Sequence, residues 1–130
     1  MLSQRQTLLI GILLGGLAVA IGAFGAHAFK NLLVQNNRVE TYELAVRYHF
    51  FHALTLILIS QLMDKFPTNI LKISATCFVT GTLLFSGSLY VMAISNATTL
   101  ALITPIGGGF FLIGWGLLFY SVWKSDHTKS

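Results

Sequence analysis

No Asp, Glu, Lys or Arg occurs anywhere from Ile73 to Trp123, and this gap constrains the chain more than any other feature. An uncharged run of that length covers two bilayer crossings at about 20 residues each. The remaining sequence points the same way, with 55% hydrophobic against 9% charged residues in a chain of 130. A soluble globule this small has too little interior to bury so much apolar surface. The expected solvent is lipid, and the length leaves room for a single domain, residues 1–130.

The formal charge of +4 comes from cations placed singly at the ends and in the connections. A nucleic-acid-binding face would gather them with interleaved aromatics, so no nucleic-acid partner is expected. Cys77 is alone, which excludes an intrachain disulfide and suits a small packing residue. Arg5, the apolar stretch after it and Ala26-His27-Ala28 imitate a cleaved signal peptide. The stretch from Leu8 to Phe29 is longer than a signal core, so a retained first helix is expected.

The pattern predicts an all-α integral membrane protein, a bundle of four transmembrane helices over 7–29, 44–63, 71–94 and 105–123. In the first, Gly11, Gly15, Ala18, Gly22 and Gly25 recur at steps of four and three, a nearly bare stripe suited to close helix contact. Asn36-Asn37 reads as a break before a helix bearing Glu40, Glu43 and Arg47. That piece is expected to lie as a short interfacial helix before the second span, with Glu43 and Arg47 in the favourable order for a solvated pair. Pro67 bars helix continuation in the next turn. Ser74, Gly81, Ser88 and Ser95 form a second small-residue seam, and Pro105 with Gly107, Gly108 and Gly109 opens the last span, which also holds Gly114.

With four spans both termini share one side. Arg5, Lys65, Lys72, Lys124 and Lys129 fall there, against Lys30, Arg38 and Arg47 opposite, so the termini are expected to be cytoplasmic in a multi-pass cell-membrane protein. Tyr42, Tyr48, Tyr120 and Trp123 fall near span ends, as in an aromatic belt.

Gly22-Ala23-Phe24-Gly25-Ala26-His27, Tyr48-His49-Phe50-Phe51-His52-Ala53-Leu54, Phe85-Ser86-Gly87-Ser88-Leu89-Tyr90 and Thr104-Pro105-Ile106-Gly107-Gly108 with Gly114-Trp115 occur in order along nearly the whole chain. In these motifs the chain resembles the domain-of-unknown-function 423 family, small bacterial inner-membrane proteins of the YgdD and YwdK type, similar to animal transmembrane protein 256. The resemblance implies a four-helix inner-membrane protein and no particular activity. It also implies histidine at the positions of His27 and His52 and glutamine at that of His49, where this chain departs.

Chemistry, if present, belongs to the histidines. His27 ends the first span while His49 and His52 begin the second, so all three are expected at one membrane depth, with Glu43 and Arg47 able to join them. Imidazoles at one level suit a metal, a haem or a proton relay. The competing reading, that they satisfy backbone carbonyls or lipid headgroups, is favoured because no diagnostic metal spacing accompanies them. Neither metal nor cofactor is therefore expected. Ser86, Ser88 and Tyr90 have no histidine or acid nearby in sequence and are placed towards the leaflet opposite the histidines, in interhelical hydrogen bonds rather than catalysis. Gly22-Ala23-Phe24-Gly25 lacks the lysine and strand of a phosphate loop.

The favoured function is a non-enzymatic structural or accessory component that packs with itself or a larger membrane complex, its surroundings being the lipid bilayer. A small transporter or channel with a histidine-containing site is the alternative, though spans one, three and four lack the buried carboxylate of a proton-coupled exchanger. A histidine-ligated metal or haem protein comes third.

Overall fold

The computed structural model describes residues 1–127, with side chains as far as Ser125. Among these residues the chain is helical and has no strand. Helix α1, Gln4–Ala26, opens on a capping box: Gln6 N–H donates to Ser3 Oγ at 3.2 Å and Ser3 N–H donates to Gln6 Oε1 at 2.9 Å. The helix ends at His27, whose backbone leaves helical geometry. A short helix α2, Lys30–Gln35, follows, and Asn37 in the left-handed region at φ 54° turns the chain into α3, Val39–Leu62. Pro67 precedes α4, Thr68–Ser95, which stops at Asn96, also left-handed at φ 57°. A 3₁₀ segment, Thr98–Leu102, leads to α5, Thr104–His127, with Pro105 in its first turn.

Two boundaries differ from expectation for local reasons. The stretch carrying Glu40, Glu43 and Arg47 is the start of α3, not a separate interfacial helix, because Asn37 makes the break and nothing after it interrupts the helix. The separate short helix is α2, which lies before the asparagines.

α1 packs on α3, α3 on α4 and α4 on α5, so α3 and α4 form an inner pair flanked by the other two. In its apolar window α1 has only 11% of residues buried, against 50% for α4. The arrangement is thus a row whose outer members are α1 and α5, rather than a ring closed between them. Its principal core joins Leu56 and Ile59 of α3, Leu71 and Phe78 of α4, and Phe111 of α5.

Several of the glycines sit where helices meet, whereas Gly16, Gly87, Gly109 and Gly116 have nothing within 4 Å. A methyl group on Gly11 would lie 3.1 Å from the Ala53 carbonyl oxygen of α3, and one on Gly22 3.3 Å from Val46. At Gly25 it would strike the Tyr42 ring, and at Gly107 the backbone of Phe85. Gly81 and Gly114 meet Phe111 and Phe78 across α4 and α5, whereas Gly15 and Gly108 have ordinary contacts at 3.9 Å. Ser74 Oγ donates to the Gly114 carbonyl at 2.7 Å, and Ser88 Oγ lies 2.7 Å from Thr104 Oγ1.

Three segments, Gln4–Ala26, Thr68–Ser95 and Thr98–Ser125, are long and apolar enough to cross a membrane. α3 has the length, but Glu43, Arg47, His49 and His52 dilute its hydropathy. Gln4 Nε2 donates to Ser60 O and Asp64 Oδ2, which brings the start of α1 to the end of α3. Arg5, Lys65, Lys72 and Lys124 accordingly gather at one end of the row and Lys30, Arg38 and Arg47 at the other. Lys129 lies outside the described residues.

Candidate functional site

The polar interior is built on α3. Because this helix starts at Val39, His49 and His52 fall near its middle, not at its membrane edge. Ala53, beside His52, packs on Gly11 and Gly15 of α1, so His27 lies twelve residues past Gly15, roughly 18 Å along the axis. His27 is exposed in the turn after α1. The expected three-histidine level does not exist, and among the described residues no three His, Cys, Asp or Glu side chains stand close enough to hold a metal ion.

His52 is 5% exposed and has both ring nitrogens engaged. Nδ1 lies 2.7 Å from the Tyr48 carbonyl oxygen, one turn back on α3. Nε2 accepts from the indole Nε1–H of Trp115 on α5 at 3.2 Å. A carbonyl can only accept and an indole can only donate, so these partners specify a neutral imidazole with its proton on Nδ1. The ring lies flat on Phe111, centroids 3.7 Å apart and planes within 6°. Nε2 could reach a metal or haem only after displacing Trp115.

His49 is 4% exposed and turns the other way. Three residues along a helix are about 60° short of a full turn, which suffices to aim two side chains at different neighbours. Its Nδ1 lies 2.9 Å from the Tyr90 hydroxyl of α4, while Nε2 has no hydrogen-bond partner. Tyr90 stands edge-on to Tyr42, centroids 5.4 Å apart, and the Tyr42 hydroxyl donates to the Ile21 carbonyl of α1 at 2.5 Å. Ser86 Oγ donates to the Ala45 carbonyl of α3 at 2.8 Å. Ser86 and Tyr90 are therefore level with the first half of α3, which corrects their placement towards the opposite leaflet. Tyr42 and Tyr48 face inward, so of the four aromatics expected in a belt only Tyr120 and Trp123 are exposed.

Two hollows flank this interior. One, about 510 Å³, is walled by Tyr48, His52, Phe85, Phe111, Leu112 and Trp115 between α3 and α5. The other, about 320 Å³, lies between the end of α1 and the start of α3, with Gly22, Gly25, Tyr42 and Val46 inside and Glu43 and Arg47 among its lining residues. Both charged side chains are exposed, and neither has a hydrogen bond or ion pair among the described residues, so the expected Glu43–Arg47 pair is not formed. Glu43 and Arg47 thus share a hollow with each other, but not with His27, His49 or His52.

The residues missed in sequence were Trp115 and Tyr42 as hydrogen-bonding partners, whereas Tyr90 makes the interhelical hydrogen bond expected of it, to a histidine that the sequence did not pair with it. The available signal was general: a histidine within an apolar helix must find a polar partner, and Tyr and Trp supply one on an otherwise apolar body.

Residues 21–108 match the family described as "Protein of unknown function (DUF423)". The chain is similar to a UPF0382 membrane protein of Haemophilus influenzae, 36% identical over 124 residues, covering 94% of this chain and 97% of the relative. It is 34% identical over 119 residues to the UPF0382 inner membrane protein YgdD of Escherichia coli, covering 90% and 88%. To the UPF0382 membrane protein YwdK of Bacillus subtilis it is 33% identical over 113 residues, covering 86% and 91%. No solved structure matches the chain.

Proposed function

We propose, from the premise that this chain belongs to the DUF423 family, that it is a four-span protein of the cell membrane with cytoplasmic termini. In this reading it is a non-catalytic component, working by contact with a second copy or a larger membrane assembly.

The fourth crossing is α3. At 1.5 Å per residue its 24 residues reach about 36 Å, enough for a hydrocarbon core of roughly 30 Å. It sits between α1 and α4, where its histidines are sheltered from lipid. Orientation rests on the cations, with Arg5, Lys65, Lys72 and Lys124 marking the cytoplasmic end.

The observation that carries the non-catalytic reading is how the interior polar groups are used. Ser74, Ser86 and Tyr42 donate to carbonyls of neighbouring helices, Ser88 meets Thr104, and His52 is held by Trp115 and Tyr48. Among the described residues the buried serine and threonine hydroxyls are spent on backbone carbonyls, and the one hydroxyl beside an imidazole is that of Tyr90, held at 2.9 Å from His49 Nδ1 in the helix interior. Association is supported by the outward side of α1, where Gly16 has nothing within 4 Å and Ala20 and Ala23 are exposed.

A Gly16→Cys variant in a Cys77→Ser background, oxidised in native membranes and run beside blue-native gels, tests this reading. Crosslinked dimers or a larger complex are expected. Monomers in both experiments would remove it.

A further inference from the structure

The hollow between α1 and α3 has an apolar interior and two opposite charges at different heights. Gly22 and Val46 line it towards the middle of the helices, where a methyl group on Gly22 would lie 3.3 Å from Val46 and the two form its floor. Its charged lining comes from Glu43 and Arg47 of α3. They are one helical turn apart, about 6 Å, with Arg47 nearer the apolar stretch of the helix and Glu43 nearer the polar turn. A guanidinium set below the membrane surface wants a phosphate oxygen, which it can hold with paired donors. A carboxylate further out wants a cation that can donate.

We propose that this cleft holds one zwitterionic aminophospholipid of the phosphatidylethanolamine type. Its phosphate rests on Arg47, its ammonium on Glu43, and an acyl chain descends along Gly22 and Val46. The headgroup runs from phosphate, on the glycerol side, outward to ammonium, the same order in which Arg47 and Glu43 occur. Two competing lipid chemistries fit less well. A glycerol headgroup carries the same phosphate but no ammonium, so it would leave the Glu43 carboxylate without a counter-charge. A choline headgroup carries a cation without N–H donors, so it cannot make the charge-assisted hydrogen bond.

The site requires the first hairpin to span a bilayer, but it does not depend on self-association: a monomer would bind the lipid equally well. Native mass spectrometry of the full chain in mixed micelles tests it, with phosphatidylethanolamine, phosphatidylglycerol and phosphatidylcholine of identical acyl chains offered in equal amounts. One bound phosphatidylethanolamine is expected, favoured over each competitor by about five-fold or more, the worth of a single charge-assisted contact near the interface. Glu43→Gln should reduce its preference over phosphatidylcholine below about two-fold while a lipid remains bound. Arg47→Gln should lose the retained lipid, and Arg47→Lys should restore part of it. Asp64→Asn, at the opposite end of the helices, should match the wild type, and unchanged helical circular dichroism identifies variants that are still folded. Equal binding of the three lipids, preference for phosphatidylglycerol, or an unchanged preference in folded Glu43→Gln would each overturn the proposal.

Discussion

Trp115 of α5 donates its indole N–H to Nε2 of His52 on α3, 3.2 Å away, and so determines which nitrogen of that imidazole carries the proton. The contact also ties α5 to α3, a pair that otherwise meets chiefly through aromatic rings. Trp115→Phe keeps an aromatic body and removes only the donor. We expect it to lower stability by about 1 kcal/mol, in line with interhelical hydrogen bonds in membranes. Nitrogen NMR of labelled histidine should find His52 as the Nδ1–H tautomer in the wild type and a changed Nε2 signal in the variant. An Nε2–H tautomer in the wild type would contradict the assignment.

The glycines divide sharply by environment. At Gly107 a methyl group meets the backbone of Phe85, which can yield only if α4 and α5 separate. Gly107→Ala should cost about 1–3 kcal/mol, as overpacking typically does. Gly116 has nothing within 4 Å, and Gly116→Ala should be neutral or stabilising by up to about 1 kcal/mol through helix propensity. Thermal melting in one detergent compares them, and equal melting temperatures would contradict the helix contact.

Buried His49 and half-buried Tyr90 form a hydrogen-bonded pair whose members each leave the other stranded when removed. Tyr90→Phe should cost about 1–3 kcal/mol because Nδ1 then has no partner, and His49→Phe should strand the Tyr90 hydroxyl in the same way. The double variant should be less destabilised than the sum of the two, since no polar group is left unpaired between them. Strict additivity would show that the 2.9 Å contact contributes nothing.

Cytoplasmic termini predict which turns face outwards. In a Cys77→Ser background, Gln35→Cys at the end of α2 and Thr99→Cys in the 3₁₀ segment should react with a membrane-impermeant maleimide added to intact cells. Asn69→Cys, at the start of α4, should react only after the membrane is opened. The reverse pattern would invert the topology.

The long helices could be read from hydropathy because the uncharged stretches and the turns at Asn36-Asn37 and Pro67 leave few alternatives. The small-residue stripe of α1 was equally visible, since its spacing of four and three is a property of sequence alone. The site was harder to read. His27, His49 and His52 were assigned a common depth by starting the second span at residue 44, but α3 starts at Val39 and carries its histidines to mid-helix. Depth along a helix also leaves direction around it open, and the 60° between His49 and His52 sends one to Tyr90 and the other to Trp115. Which aromatic completes each imidazole depends on the lateral order of helices, and hydropathy carries no trace of that order.

The left-handed asparagines mark a connection that bears on how the protein is made. The Asn36 amide donates to the carbonyls of Ala93 and Ile94 at 3.1 Å each, and Arg38 Nε donates to Asn96 Oδ1 at 3.1 Å. Those carbonyls belong to the last turn of α4, where the helix itself offers no donor. Their partners lie more than fifty residues earlier in the chain and so leave the ribosome first. The donors that complete the final turn of α4 are thus synthesised before the carbonyls they serve, so that turn is finished by groups already present in the chain when it emerges.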